Sequence, residues 1–236
     1  MSPSRRPRSP RGSGEQLRDE ILAAAAELLH RTGSAEAVSI REIGRMVGVT
    51  APSIYRHFAD KDALIEAVVV QVFEDLDAAM RAAVDPADPP ALRMRELGLT
   101  YIRFALEHPE QYRIATAPTE TRRAVDLVFT SGPFRHFAAT VEEAMADGTI
   151  EPGDPVPVVL ELWAVAHGIA SLLLAKPYLP WGDPMTFATH VLDAAYAGHV
   201  VTELVGRDAT PAQMTQWLMD LRAKKRDLNR PRPPMR

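Results

Sequence analysis

The residues with most capacity for chemistry are gathered in SIREIGRMVGVTAPSIYRHFADKDAL, residues 39–64. This stretch holds Arg41, Arg45, Arg56, His57 and Lys61, interleaved with the hydroxyls of Ser39, Thr50, Ser53 and Tyr55. Guanidinium forks can bond two acceptors on a guanine edge, while ammonium and hydroxyl groups suit phosphate oxygens. The chemistry on offer is therefore recognition of nucleic acid. Catalysis has no comparable signal: the chain contains no glycine-rich phosphate loop, no G-x-S-x-G nucleophile turn and no metal-spaced cluster. The nearest approach, EHPEQY, sets one histidine and two acids around a proline, so the chain is not expected to be an enzyme and no cofactor is implied.

Two short helices must position these side chains. Ser39 followed by Glu42 has the pattern of a capping box, which starts a helix over Ile40–Met46 that stops at Gly48. Thr50 is the next N-cap and Pro52 falls in a first turn, where its missing N–H costs nothing, so a third helix is predicted over Ala51–Phe58. Upstream, EQLRDEILAAAAELLHRTG repeats apolar residues at helical spacing, and downstream Asp60 caps a long helix carrying Leu64, Val68, Val72 and Leu76. A pair of short helices around a tight Gly-containing turn, braced on both sides, is the helix-turn-helix unit, with Ile43, Val47, Val49 and Ile54 as its small core.

Charge separates this head from the rest. Residues 1–61 hold ten Lys/Arg against seven Asp/Glu, residues 62–220 ten against 23, and residues 221–236 seven against one. The acidic middle would repel phosphate, which confines nucleic-acid contact to the basic head. Beyond the DPADPP break, helices are predicted at 90–107, 109–116, 119–146, 155–175, 184–206 and 210–226. The fold class is all-α, with about nine or ten helices, and the organisation is a basic arm (1–14), a three-helix head (15–62), a larger helical domain (63–226) and a proline-rich tail (227–236). Arm and tail are read as disordered for want of apolar surface. The 236-residue chain has no cysteine, which excludes disulfides and thiolate metal sites. Its N-terminus has no secretory pattern, so a cytoplasmic location is expected. The apolar stretch VVLELWAVAHGIASLLLA has about the minimum length to span a bilayer but carries Glu161, His167 and Ser171, and is read as a buried helix with no membrane role.

Residues 15–68, with the Gly-Val turn, IYRHF and KDAL at their spacings, resemble the TetR family of transcriptional regulators. HPEQYRIA (108–115) and WAVAHG (163–168) also resemble the C-terminal sensing domain of a subgroup in which Trp, His and Gly recur. The resemblance implies that Ser39, Arg41, Thr50, Ala51, Ser53, Tyr55, Arg56, His57 and Lys61 face double-stranded DNA. Arg41 and Arg56 are the candidates for base readout, and Arg45 is read as a solvated bystander. Tyr55 has a second reading as part of the core, and His57 as a prop for the loop before Asp60. It further implies a homodimer on a palindromic operator and a repressor released by a hydrophobic or amphipathic small molecule. Phe104, Tyr112, Ile114, Phe129, Phe134, Phe137, Trp163 and His167 are the candidate lining of its pocket, each with core packing as the alternative. The dimer surface is expected on residues 155–175 and 184–206, where Gly168, Ala170, Ser171, Ala194, Ala195, Ala197 and Gly198 would let helices approach closely; packing within one chain is their other reading.

Overall fold

The computed structural model describes residues 13–116, 128 and 130–228, and these form ten α-helices. They are α1 (Ser13–Thr32), α2 (Ile40–Val47), α3 (Ala51–Ile54), α4 (Lys61–Ala83), α5 (Pro90–Glu107), α6 (Pro109–Ala115), α7 (Gly132–Ala146), α8 (Pro155–Ala175), α9 (Pro184–Val205) and α10 (Pro211–Leu228). Most of the predicted arm and tail, and Phe129, lie outside the described residues.

The head is held by one apolar cluster. Ile21, Ala25 and Leu28 of α1 meet Ile43 of α2, Ile54 of α3, Phe58, and Leu64 and Val68 of α4, while Val47 and Val49 are half-buried at its edge. The turn between α2 and α3 explains two glycines. Gly48 adopts φ +78°, a left-handed conformation that side chains other than glycine strain to reach. Gly44 serves close approach: a Cβ there would sit 2.8 Å from the Val49 carbonyl oxygen. The same turn is closed by Val49 N–H donating to Gly44 O at 2.8 Å.

Two local expectations are corrected. Ser39 and Thr50 are N-caps with extended backbone, but neither side chain caps its helix. Glu42 pairs instead with Arg45 at 3.3 Å and Arg31 at 4.0 Å, because those cations outbid a neutral amide for its carboxylate. The third helix closes at Ile54 rather than Phe58, and the chain continues through turns in which His57 and Phe58 N–H both donate to Ile54 O. Phe58 must turn inward to the core, where the Arg18 guanidinium lies 5.4 Å from its ring centre.

In the larger domain α5 is the central element, packed against α4, α7, α8 and α9. Its Leu97, Ile102 and Ala105 are fully buried. The helix predicted over 119–146 is interrupted, since Ser131 caps a fresh start by accepting from Phe134 N–H and Pro133 occupies its first turn. Helix α8 is long and apolar enough to cross a membrane by length and composition. Here it packs against α5, α7 and α9 as a core helix, burying Val158, Val159, Leu162, Ala166, Ile169, Ala170 and Leu173.

Gly44→Ala is expected to destabilise the head by about 1–3 kcal/mol, because the atom it must displace belongs to backbone. Urea unfolding of the variant beside the parent checks this.

Candidate nucleic-acid interface

The outer face of α3 is built by spacing. Thr50, Ser53 and Arg56 recur every three residues and are joined in a line, Thr50 Oγ1 to Ser53 Oγ at 3.2 Å and Arg56 Nη2 donating to Ser53 Oγ at 3.2 Å. This line orients the guanidinium along the helix surface while leaving Arg56 exposed. Tyr55 is 49% exposed beside it, so it is not a core residue of this chain. Ala51 and His57 are half-buried, and Ser39 and Arg41 are exposed at the start of α2. Arg45 is also exposed but engaged with Glu42 on its own helix.

Lys61 occupies a different position from the rest. Its Nζ donates to the carbonyl oxygens of Ala35 at 3.1 Å and Glu36 at 3.2 Å, which ties the α1–α2 connection to the start of α4. Two of its three N–H donors are thereby engaged, leaving one for any phosphate. Asp60 beside it caps α4, accepting from Ala63 N–H at 2.7 Å.

The candidate effector residues fall into three environments. Tyr112, Trp163 and His167 come together with two residues that the sequence reading did not single out for the pocket, Tyr101 and Ser171. Tyr112 Oη lies 2.9 Å from His167 Nδ1 and 2.8 Å from Ser171 Oγ, Tyr101 Oη lies 3.2 Å from His167 Nδ1, and the Trp163 and His167 rings are 5.8 Å apart. Burial lowers the His167 pKa from its ordinary 6.5, which favours the neutral imidazole, and raises both tyrosines. The cluster is thus a neutral hydrogen-bonded plug in apolar surroundings. Phe104 is buried nearby with its ring 4.9 Å from that of His108. Phe134 packs around Met94, Val141 and Leu162, and Phe137 lies between that cluster and the one that holds Tyr101, Phe104 and Tyr112.

A cavity of about 30 Å³, room for one water, is lined by Met94, Gly98, Phe137, Leu162, Leu192 and Tyr196 among others. The Tyr196 hydroxyl is buried without a hydrogen-bond partner among the described residues. Ile114 faces the other way, against the apolar cluster of the head. Ser171 had a usable signal, four residues after His167 on the same face of an apolar helix; Tyr101 had none beyond its place in α5.

Comparison with known proteins agrees with this architecture at both ends. Residues 21–68 match the model of the bacterial regulatory proteins of the tetR family, and residues 94–195 match the tetracyclin repressor-like C-terminal domain. The chain belongs to the TetR family. Among similar proteins, the HTH-type transcriptional regulator EthR of Mycolicibacterium smegmatis is 30% identical over 111 residues, covering 46% of this chain and 50% of EthR. The nucleoid occlusion factor SlmA of Vibrio cholerae serotype O1 is 24% identical over 144 residues, covering 60% of this chain and 72% of that protein. A protein of unknown function from Rhodococcus sp. RHA1 superposes with a TM-score of 0.63 at 30% identity, covering 77% of this chain and 94% of its own. A putative TetR regulator from Vibrio parahaemolyticus gives 0.62 at 22% identity, over 77% and 97% of the two chains, and so shares the fold. The chain is a TetR-family DNA-binding transcriptional regulator, and its family is not one of enzymes.

The depressed His167 pKa has a stability consequence. Its contribution is fully present above the ordinary value of 6.5 and is lost as pH falls through the lower folded value, since the unfolded chain takes up the proton first. Thermal unfolding followed between pH 8 and pH 5, as a range of about three units around that value, should show a decline that is smaller in His167→Gln.

Proposed function

We propose that the protein is a ligand-responsive repressor that binds a palindromic operator as a two-fold dimer and releases it when a small molecule enters the C-terminal domain. The observation that carries the DNA half of this reading is the Thr50–Ser53–Arg56 line, which leaves Arg56 exposed, with Tyr55 and Arg41 exposed as well. Arg41 and Arg56 read base edges in the major groove, while Ser39, Thr50, Ser53 and Tyr55 fix the register on phosphate and sugar. Ala51 gives a methyl-sized contact, His57 lies at the edge of the interface, and Lys61 offers its remaining donor to a phosphate. One helix-turn-helix binds DNA weakly, so two copies are needed. Helices α8 and α9 supply the face: Leu160, Leu172 and Leu204 are exposed there, and a Cβ at Gly168 or Gly198 would meet nothing within 4 Å.

The effector reading rests on the buried cluster. The cavity beside Phe137, Leu192 and Tyr196 holds about 30 Å³, against the roughly 300–1,000 Å³ usual for a ligand pocket. A ligand that enters at the neighbouring cluster parts packed side chains and exchanges the Tyr101–Tyr112–His167–Ser171 hydrogen bonds for its own polar group. A hydrophobic or amphipathic molecule suits such a site, with Trp163, Phe104, Phe134 and Phe137 as its apolar walls.

Helix α6 gives this exchange a route to the DNA. Tyr112 joins the cluster while Ile114, two residues on, packs against the head, and α6 touches α1, α4 and α5. Opening the cluster shifts α6 and with it the head, so that two recognition helices no longer match successive major grooves. The ligand must bind that state more tightly for any release to follow.

Selection of DNA from a random pool should return a palindrome whose half-sites lie about one helical turn, roughly 34 Å, apart. Arg56→Ala or Arg41→Ala should cost about 1–3 kcal/mol on that site and relax its sequence preference, while Arg45→Ala should change neither. Titration of Trp163 fluorescence with candidate effectors, alongside operator release, tests the sensing half; an effector that binds and leaves operator affinity unchanged contradicts it.

A further inference from the structure

Arg41, Arg45 and Arg56 are all exposed on the two-helix unit, but their surroundings differ. Arg45 donates to the Glu42 carboxylate at 3.3 Å, which offsets its charge. Arg41 has no side-chain partner among the described residues. Arg56 is held by a neutral group: its Nη2 donates to Ser53 Oγ at 3.2 Å, so its direction is restrained while its full charge remains.

Ser53 is a firm mount for that contact. It follows Pro52, whose ring fixes φ, and precedes Ile54, which is fully buried in the head core. Its N–H donates to Thr50 O at 2.8 Å, and its hydroxyl shares a 3.2 Å hydrogen bond with Thr50 Oγ1. The backbone on both sides of Arg56 is tied as well, with Tyr55 N–H donating to Ala51 O and His57 N–H to Ile54 O. What is left free in Arg56 is the side chain, and Ser53 restrains it.

The donors balance. A guanidinium carries several N–H groups in a fixed fork, so the single bond to Ser53 leaves enough for two parallel bonds to O6 and N7 of a guanine. Whichever hydroxyl donates within the Thr50–Ser53 pair, one O–H stays available for a phosphate oxygen.

The geometry points to Ser53 as a positioning residue for sequence readout, which aims the Arg56 fork at a guanine in each half-site of the operator. The inference rests on the DNA reading proposed above and adds that Ser53 acts on specificity through Arg56. An exposed arginine gives up rotamer freedom when it settles on a base, and one already restrained gives up less. The effect of removing the hydroxyl therefore depends on Arg56 being present.

A double-mutant cycle on the full chain tests this. Affinity is measured for the parent, Ser53→Ala, Arg56→Ala and the double variant. The duplexes are the selected operator and copies in which 7-deazaguanine, which lacks the N7 acceptor, replaces each half-site guanine in turn. Ser53→Ala should weaken operator binding about fivefold in the parent background and less than about twofold beside Arg56→Ala. At one guanine, 7-deazaguanine should weaken the parent, weaken Ser53→Ala less, and leave Arg56→Ala unchanged. Ser53→Thr, which keeps a hydroxyl, should bind as the parent does. An equal loss from Ser53→Ala in both backgrounds assigns the hydroxyl a DNA contact of its own and overturns the proposal, as does no loss in either. A 7-deazaguanine effect that persists in Arg56→Ala at every position overturns it too. A parent chain that binds operator and scrambled duplex equally overturns the DNA reading itself.

Discussion

Helix α4 contributes to two hydrophobic cores at once. Leu64 and Val68, near its start, are buried with α1, α2 and α3, while Val72, Leu76 and Met80 are buried against α5. Close-packed interiors do not deform continuously, so a rearrangement of the body must either strain α4 or carry it along. A continuous 23-residue helix transmits the second. The domain division expected between residues 62 and 63 falls inside α4, which runs unbroken from Lys61 to Ala83. Asp77, almost wholly buried on α4, adds to the fixation: it pairs with Arg81 and closes against Gly132 at the start of α7, where a Cβ would meet its carboxylate at 2.5–2.8 Å.

Around that helix the two ends of the protein follow different physical rules. The head uses a small apolar cluster to hold a polar, cationic face outward, and its geometry is set by short-range devices: a left-handed Gly48, a close approach at Gly44, and Asp60 capping α4. The body buries polar groups in internal clusters, while the Tyr196 hydroxyl stays without a hydrogen-bond partner among the described residues. The Tyr101–Tyr112–His167–Ser171 group is one such cluster, and His199 of α9 centres another, 2.8 Å from Glu161 of α8 and 3.2 Å from Glu203 one turn along its own helix. Buried polar networks favour one arrangement over its competitors when fully satisfied, and yield readily when one member is drawn away. That property suits the two-state sensing proposed for this domain.

The head was readable from sequence because its determinants are local. Thr50, Pro52, Gly48 and the Ile43/Ile54 pair lie within a dozen residues, and each has a mechanism that acts without distant partners. What escaped there was competition between local choices: Glu42 could serve Ser39's backbone or two arginines, and only geometry decides for the arginines. The early end of α3 had a similar cause, since Phe58 satisfies the core better by leaving the helix. In the body the determinants are long-range. Helix periodicity located α8 to the residue, but it could not reveal that Tyr101, 66 residues from His167, would share its imidazole nitrogen, or that Ile114 would face the head instead of the effector region. The break at Ser131 was visible as a capping serine followed by Gly and Pro, and apolar continuity hid it.

The central claim is that a chain of net charge −4 binds DNA through a cationic head built on α2 and α3. The dependence of affinity on salt addresses it most directly, because each phosphate neutralised releases counterions and lowers log K in proportion to log salt. The selected operator and a scrambled duplex of equal length are to be titrated across a salt series with the full chain. The account predicts steep, near-parallel declines on both duplexes, with the operator bound more tightly at every concentration. Affinity that ignores salt, or that is equal on the two duplexes, contradicts it.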